Sequence, residues 1–370
     1  MPAQRKLRVG LLFGGNSSEH DISLLSAASV IRHLDAEKYD VFPIGITREG
    51  VWLPGIKPVE FIAAEDHMHS SQTSGQKNFE TFPEALTLSI KLSTPGEGLD
   101  VVFPVLHGQN GEDGTVQGLL ELADLPYVGC GIMGSALGMD KEKARLIFRS
   151  LGLPVVNSLS YRSSIWKISP ERILDAVEER LGYPNFVKPA SLGSSIGVSK
   201  VYDRGGLRRA IQNAVEYDHK FLVEQAINCR ELECSVLGND EPMVSAVGEV
   251  FYTGEFYDYY AKYQDERSHT VVPASISPAL VEEMRFLAIQ AFQALDLSGM
   301  ARVDFFLERE TEKIFINEVN TLPSLTNQCM YSKLCEYSGL PYTHLLDRLI
   351  ELALERHAHR HRLKRAHNCN

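Results

Sequence analysis

An α/β fold divided into more than one domain is what this 370-residue chain predicts. Three observations carry that expectation. Short apolar strand patterns alternate with helical ones, glycine-rich turns join strand ends to helix starts, and the length suits two or three domains at roughly 150 residues each. The composition agrees, since 44% hydrophobic and 23% charged residues are enough to bury cores, whereas a disordered chain would hold far fewer aliphatics.

Leu7 to Phe13 reads as a buried strand, Gly14-Gly15-Asn16-Ser17-Ser18 as a turn, and Ile22, Leu25, Ala28 and Val30 follow at near-helical spacing. Val41 to Ile46 and Val101 to Leu106 are further strands, the latter running into the polar loop His107 to Gly114. Residues 1–129 therefore form an open α/β unit with its strand ends together, where ligands usually sit, and 63–98, rich in Ser, Thr, Gly and Lys, is an insertion or surface segment. A helix runs from Ser135 through Arg149 and stops at Gly152-Leu153-Pro154, and a second covers 170–181. Strands at Phe186 to Lys188 and Gly197 to Val201 flank the loop Pro189 to Ile196, and Phe221 to Gln225 is another, giving an α+β middle domain over 130–223. From 224 to 356, strands (232–237, 244–251, 300–307, 313–320) alternate with helices (278–295, 341–356). Residues 357–370 form a basic tail containing His357, His359, His361 and His367, read as a solvated end, with metal binding as the alternative.

Charge and cysteine usage limit the function classes. Lys plus Arg total 37 against 48 Asp plus Glu, a net −11, which argues against broad binding to nucleic acid or an anionic membrane surface. An anionic substrate would need a local basic pocket. No apolar run approaches the roughly 18 residues of a spanning helix, and the start of the chain leads into a strand and not a signal-peptide core, so a cytoplasmic protein is expected. The six cysteines are scattered without a C-x-x-C pair, so neither a disulfide framework nor a zinc knuckle is signalled.

The segment Gly299 to Asn320 is the most informative, two strand patterns around a charged turn. Residues two apart share a face, so Arg302 goes with Asp304 and Glu318 with Asn320. A turn centred on Thr311 places Asp304 opposite Glu318 and Arg302 opposite Asn320. Two opposed carboxylates repel unless a cation lies between them, and an all-oxygen donor set suits Mg²⁺ or Mn²⁺ better than zinc. The alternative is an exposed hairpin whose acids pair with Arg302 and Lys313. Lys188 stands at a strand end before Ser191-Leu192-Gly193-Ser194-Ser195, a loop whose N–H groups can wrap phosphate, although the lysine precedes the glycine, unlike a Walker A loop. Lys141 opens a helix and can reach the same phosphates or be a surface lysine. Phe221 to Ile227 with Glu231 offers apolar surface and carboxylates for an adenine edge and ribose hydroxyls, or is only a strand leaving a core.

Taken in order, Gly14-Gly-Asn-Ser-Ser-Glu19-His, His107-Gly-x-x-Gly-Glu-Asp-Gly-x-x-Gln-Gly118, Met139-Asp-Lys141, Val187-Lys188-Pro-x-x-x-Gly-Ser-Ser195, Tyr257 to Tyr263, Ala301-Arg-Val-Asp304 and Asn317-Glu-Val-Asn-Thr-Leu-Pro323 resemble the D-alanine–D-alanine ligases of the ATP-grasp superfamily. The resemblance spans about residues 6 to 356. It implies an ATP-grasp fold with an N-terminal Rossmann-like (pre-ATP-grasp) domain, and ATP held by Lys141, Lys188, Ser195, Glu224, Glu231 and Phe256. Two Mg²⁺ or Mn²⁺ ions would sit on Asp304, Glu318 and Asn320. One D-alanine carboxylate would attack the γ-phosphate and the amine of a second D-alanine displace phosphate, with Arg302 stabilising the oxyanion. Glu19 would bind the first ammonium, as against a helix-dipole or capping role, and His107 would contact that substrate or tune Glu19. The stretch Phe256 to Tyr263 resembles the family's closing loop, with Tyr263 joining Glu19 and Ser194, and Lys262 near the phosphates. Tyr263 also favours an amine as second substrate, because family members that make the lactate ester carry His there. Departures from the family pattern are Ser324 for Gly, Cys329 for Ser and Ser332 for Pro, all near the second-substrate pocket, where Met330 keeps to the dipeptide-forming type. A D-serine-using ligase and a non-catalytic nucleotide-binding module are the alternatives, and the resemblance implies a homodimer.

Overall fold

The computed structural model describes residues 5–58, 60, 98–254, 265 and 267–363. The expected insertion at 63–98, all but its last residue, and the site residues Phe256, Lys262 and Tyr263 lie outside them.

The chain builds three sheets. In the first, β1 (Leu7–Gly14) is flanked in parallel by β2 (Tyr39–Ile46) and β4 (Val101–Pro104), with the short β3 (Trp52–Pro54) antiparallel at the edge. The period of two decides the packing. Val9, Leu11 and Phe13 join one core with helix α1 (His20–His33), whereas Leu12 joins another with α2 (Thr115–Leu122). The three residues of β3 are too few to leave a periodic signal.

The expected single helix over 135–149 is two: α3 (Ile132–Met139) and α4 (Lys141–Ser150). Apolar spacing continues across the junction, but Asp140 takes an extended conformation and its side chain accepts from the Lys143 N–H as an N-cap. The Lys141 N–H donates instead to the Ala190 carbonyl, which pins the new helix start to the middle domain.

The second sheet, ordered β5-β8-β6-β7, is antiparallel throughout and comprises β5 (Ser158–Arg162), β6 (Asn185–Pro189), β7 (Ser199–Val201) and β8 (Lys220–Gln225). Helices α5 (Ser163–Ile168), α6 (Pro170–Arg180) and α7 (Arg204–Tyr217) cover it through Trp166, Ile173, Val177, Leu207 and Ile211. Strand β8 keeps its pairing with β6 up to Gln225, across the division expected at 224.

The third sheet is ordered β11-β10-β9-β12-β13, from β9 (Cys229–Gly238), β10 (Met243–Phe251), β11 (His269–Val271), β12 (Gly299–Glu308) and β13 (Ile314–Asn320). Helix α8 (Pro278–Ala294) packs on it, and Ala144 and Phe148 of α4 share that core with Phe292 and Phe305, so α4 adheres to the third unit although it precedes the second in sequence. Helix α9 (Met330–Tyr337) covers the other face, and α10 (Tyr342–Arg362) returns to the first sheet, burying Leu345, Leu349 and Ile350 against its core. It runs six residues beyond the end expected at 356. No helix among the described residues is long and apolar enough to cross a membrane, and the five described cysteines are free thiols.

Gly14 ends β1 at φ +85°, where a Cβ would meet the Ile46 carbonyl oxygen at 2.2 Å. A left-handed non-glycine residue costs about 1–2 kcal/mol before any clash. We expect Gly14→Ala to lower the first transition in differential scanning calorimetry by several degrees; an unchanged transition would show that the turn relaxes freely.

Candidate active site

Strands β12 and β13 pair with Asp304 opposite Glu318 and Arg302 opposite Asn320, the pairs expected from the sequence. Directly beyond Asp304 the ladder slips at a bulge, so that Phe305 faces Ile316. On the other side of β12, Asp304 faces Glu233 of β9, a third carboxylate that the hairpin pattern does not reveal. Arg302 sits among them, donating to both Asp304 oxygens at 2.7 and 2.8 Å and lying 3.1 Å from Glu233. Burial works against its charge, but Asp304 and Glu233 hold the guanidinium protonated well above its ordinary range. Glu318 pairs at 3.1 Å with Lys141 from the start of α4, where the exposed-hairpin reading would have it on Lys313. Asn320 Oδ1 accepts from the Leu322 N–H at 3.2 Å.

Three carboxylates against two cations leave this patch one negative charge in excess. Its oxygen donors on adjacent strands fit a hard divalent ion such as Mg²⁺ or Mn²⁺, which would reverse the sign toward an anionic ligand.

Opposite it, Lys188 of β6 approaches Glu224 of β8 at 3.1 Å, and Arg145 of α4 closes on the same carboxylate. Arg145 and Glu224 are almost wholly buried and Lys188 nearly so. Burial alone would raise the Glu224 carboxyl, but Arg145 and Lys188 hold it below the usual glutamate range, while burial pulls the Lys188 ammonium down. Sequence reading misses Arg145, which looks like any polar position of an amphipathic helix. Lys141 also donates to the Leu192 carbonyl at 2.7 Å, and the following Ser194 and Ser195 both have positive φ, 50° and 58°. Strained non-glycine backbone of this kind concentrates at binding loops.

These groups line one cavity of about 670 Å³, which includes Lys141, Lys188, Ser195, Glu224, Glu231, Arg302, Asp304 and Glu318, with Phe186, Ile227 and Phe306 as apolar wall. Glu231 accepts from Tyr252 at 2.9 Å. A larger concavity, about 1190 Å³, lies along α10 beside Asp240 and Glu241 and contains none of the expected site residues.

Glu19 precedes α1 but makes no side-chain cap; its carboxylate accepts from Ser194, joining the first domain to the phosphate loop. Gly108, at φ +73°, lies so close that a Cβ would stand 2.8 Å from Glu19 Oε2. His107 is buried, its ring nitrogens at 3.1 Å from Ser26 Oγ and from the Leu322 carbonyl. Glu112, also missed from sequence, lies 3.7 Å from His107 and accepts from the Gly108 N–H. Burial, with the Glu19 charge adding to it, pushes the Glu112 carboxyl up, against the opposing effects of His107 and Gly108.

The loop after β13 carries the family departures. Ser324 is not among the residues with positive φ, so its Cβ fits without the strain that a left-handed position would impose. The Cys329 thiol turns inward, donating to the carbonyls of Ser324 at 2.7 Å and Thr326 at 3.0 Å. Met330 is buried against Val250 and Leu334.

Two antiparallel sheets that enclose a cavity lined with lysines and acids, beside a Rossmann-like unit, define an ATP-grasp architecture. Comparison with known proteins agrees with this. Residues 8–130 match the family described as "D-ala D-ala ligase N-terminus" and residues 147–351 that described as "D-ala D-ala ligase C-terminus". The chain is 48% identical over 365 residues to the D-alanine--D-alanine ligase of Ruminiclostridium cellulolyticum, covering 95% of this chain and 96% of that one. It is 44% identical over 364 residues to the ligase of the same name from Acetivibrio thermocellus, covering 95% and 97%. Among solved structures, the D-alanine-D-alanine ligase from Coxiella burnetii superposes with a TM-score of 0.78 at 35% identity, covering 96% of this chain and 98% of that one. The VanG D-Ala:D-Ser ligase from Enterococcus faecalis gives 0.78 at 35%, covering 94% and 100%. The chain belongs to the D-alanine–D-alanine ligase family.

Removing one partner of a buried charge cluster costs about 3–5 kcal/mol, because it strands the others. Arg145→Met is expected to lose about that much in urea unfolding, and adding Glu224→Gln should recover part of it. No loss would mean that Lys188 alone satisfies Glu224.

Proposed function

We infer that this chain is an ATP-dependent, ADP-forming ligase that joins two D-alanines to D-alanyl-D-alanine through an acyl phosphate, for peptidoglycan precursor synthesis. What carries the reading is the opposed Asp304 and Glu318 pair facing Lys141 and Lys188 across one cavity, in a chain of this family. The same reading makes it a cytoplasmic homodimer.

The reaction begins with a carboxylate attacking a phosphate, anion on anion, so the site must supply positive charge where negative charge develops. Lys141 and Lys188 bind phosphate oxygens, and the left-handed Ser194-Ser195 turn directs backbone N–H groups at them. Glu224 and Glu231 take the adenine edge and ribose, and Phe256 is counted with the nucleotide-binding residues. Asp304, Glu318 and Asn320 would hold two Mg²⁺ or Mn²⁺ ions, which when bound neutralise phosphate oxygens and leave the γ-phosphoryl group open to attack.

Glu19, oriented by Ser194, binds the ammonium of the first D-alanine, so that its carboxylate extends toward the γ-phosphate, and Tyr263 completes that hydrogen-bonded set. His107, locked between Ser26 and Leu322, acts as a fixed wall of this subsite. The amine of the second D-alanine attacks the acyl phosphate, Arg302 donates to the resulting oxyanion, and phosphate leaves toward Lys262. Ser324, Cys329 and Met330 frame the second substrate. The Cys329 thiol is a weaker donor than the hydroxyl it replaces, which lowers affinity for the second carboxylate.

Asp304→Ala and Glu318→Ala are each expected to abolish D-alanine-dependent ADP release in a coupled assay, and normal rates in both would overturn the assignment of the metal-holding pair. Cys329→Ser should lower the apparent KM for the second D-alanine several-fold with kcat little changed, and an unchanged KM would remove the thiol from the second subsite. Mass analysis of the product with D-serine offered alongside D-alanine tests the dipeptide itself, since a mixed product would identify a D-serine-using enzyme.

A further inference from the structure

Away from the cavity, the end of α10 meets the turn that follows α2. His357 and His361 stand four residues apart on one helix face, and Asp124 faces them from a left-handed turn position, φ 55°. Three donor atoms converge there. His361 Nε2 lies 2.8 Å from Asp124 Oδ1, His357 Nε2 lies 3.4 Å from the same oxygen, and the two Nε2 atoms are 3.2 Å apart. Four-coordinate zinc with bonds of about 2.0 Å requires ligand atoms about 3.3 Å from one another, so the triangle already has the spacing of three corners of such a site.

We propose that Asp124, His357 and His361 form a surface site for a divalent transition-metal ion, Zn²⁺ foremost, which fastens the end of α10 to the first domain. The chemistry is distinct from that of the cleft. Two imidazoles and one carboxylate suit zinc, cobalt or nickel, whereas the all-oxygen set at Asp304 and Glu318 suits magnesium. Helix α10 is held in register by flanking contacts: Arg356 donates to the Tyr127 carbonyl at 2.9 Å and stacks on the Tyr127 ring, and Arg360 pairs with Glu121 at 2.7 Å. Glu121 offsets the Arg360 guanidinium, so a dication does not face two uncompensated cations. The Asp124 carbonyl oxygen is 3.1 Å from His357 Nε2 and supplies its hydrogen-bond partner when no ion is bound. The sequence alone shows only histidines in a basic tail, because Asp124 comes from a distant turn and the helix was expected to end before His357.

The test uses the full chain, free of any affinity tag, stripped with a chelator and returned to saturating Mg²⁺ so that the cleft carboxylates are occupied. Co²⁺ is titrated while its visible d–d absorption is followed. The expected result is saturation at one equivalent, displacement by Zn²⁺, and affinity lowered more than about 100-fold in both His357→Ala and His361→Ala. His359→Ala, on the same helix but outside the triangle, should bind as the unmodified chain does. In thermal melts, Zn²⁺ should raise the first transition of the unmodified chain by a few degrees and leave the His357→Ala/His361→Ala double variant unmoved. All three side chains are partly exposed, so metal-free variants should melt like the parent. Binding that survives in the double variant, binding lost equally in His359→Ala, or no saturable binding would each overturn the proposal.

Discussion

Like charge brought together on neighbouring strands is the constraint that organises this molecule. Asp304, Glu318 and Glu233 project from three consecutive strands of one sheet and coexist because cations from elsewhere reach them. Arg302 is local, but Lys141 comes from the start of α4, and its position depends on the helix break at Asp140. That break is itself clamped, since Lys220 of β8 pairs with Asp140 and, at 2.6 Å, with Glu142. The second sheet therefore sets where the α4 lysine stands, and the lysine in turn balances an acid of the third sheet. A ligand that supplies or withdraws charge in the cavity acts on all three together.

The buried Arg145, Glu224 and Lys188 cluster extends the same logic. Apolar residues of similar volume would fill that space at no loss of stability, and often at a gain. What the charged set provides is orientation. Arg145 also donates to the Asn317 carbonyl at 3.3 Å, so one guanidinium touches β8 and β13 and fixes the two walls of the cavity relative to each other. The Lys188 ammonium, held by a carboxylate that cannot move, is presented to the cavity before any nucleotide arrives.

The pairing of Asp304 with Glu318 was legible from a period of two about a turn centred on Thr311, but the strands reach it by another route: the pairs nearest the turn are one residue out of that register, and the bulge beyond Asp304 restores it. The order of strands in the third sheet, and the meeting of Glu19 with Ser194 across 175 positions, could not be obtained that way. Ordered motifs shared with a family supplied the pairing of distant loops. Arg145, Glu233 and Glu112 stayed hidden for one reason: each occupies a position compatible with an ordinary solvated face, and only tertiary pairing turns it inward. Apolar spacing that continues through Asp140 gave one helix from 135 to 149, whereas the reading of Lys141 as a helix start holds, because a capping aspartate outweighs periodicity there. The three-residue β3 and β11 carry too few residues for any pattern to stand out, and β5, Ser158-Leu-Ser-Tyr-Arg162, offers only two apolar positions among polar ones.

Three departures from the family pattern, at 324, 329 and 332, look independent in the sequence. In the structure they touch. The Cys329 thiol donates to the Ser324 carbonyl and lies 3.3 Å from the hydroxyl of Ser332, which is almost fully buried. A buried hydroxyl without a partner would be costly, and a proline at 332 would have asked for none, so the serine there and the sulfur beside it form a matched pair. The Ser324 side chain is accommodated because its backbone avoids the left-handed region. The loop after β13 has thus exchanged one self-consistent arrangement for another, and the consequence for the second substrate comes from the set as a whole, a thiol whose one weak hydrogen is turned into its own loop where a hydroxyl would be the stronger donor.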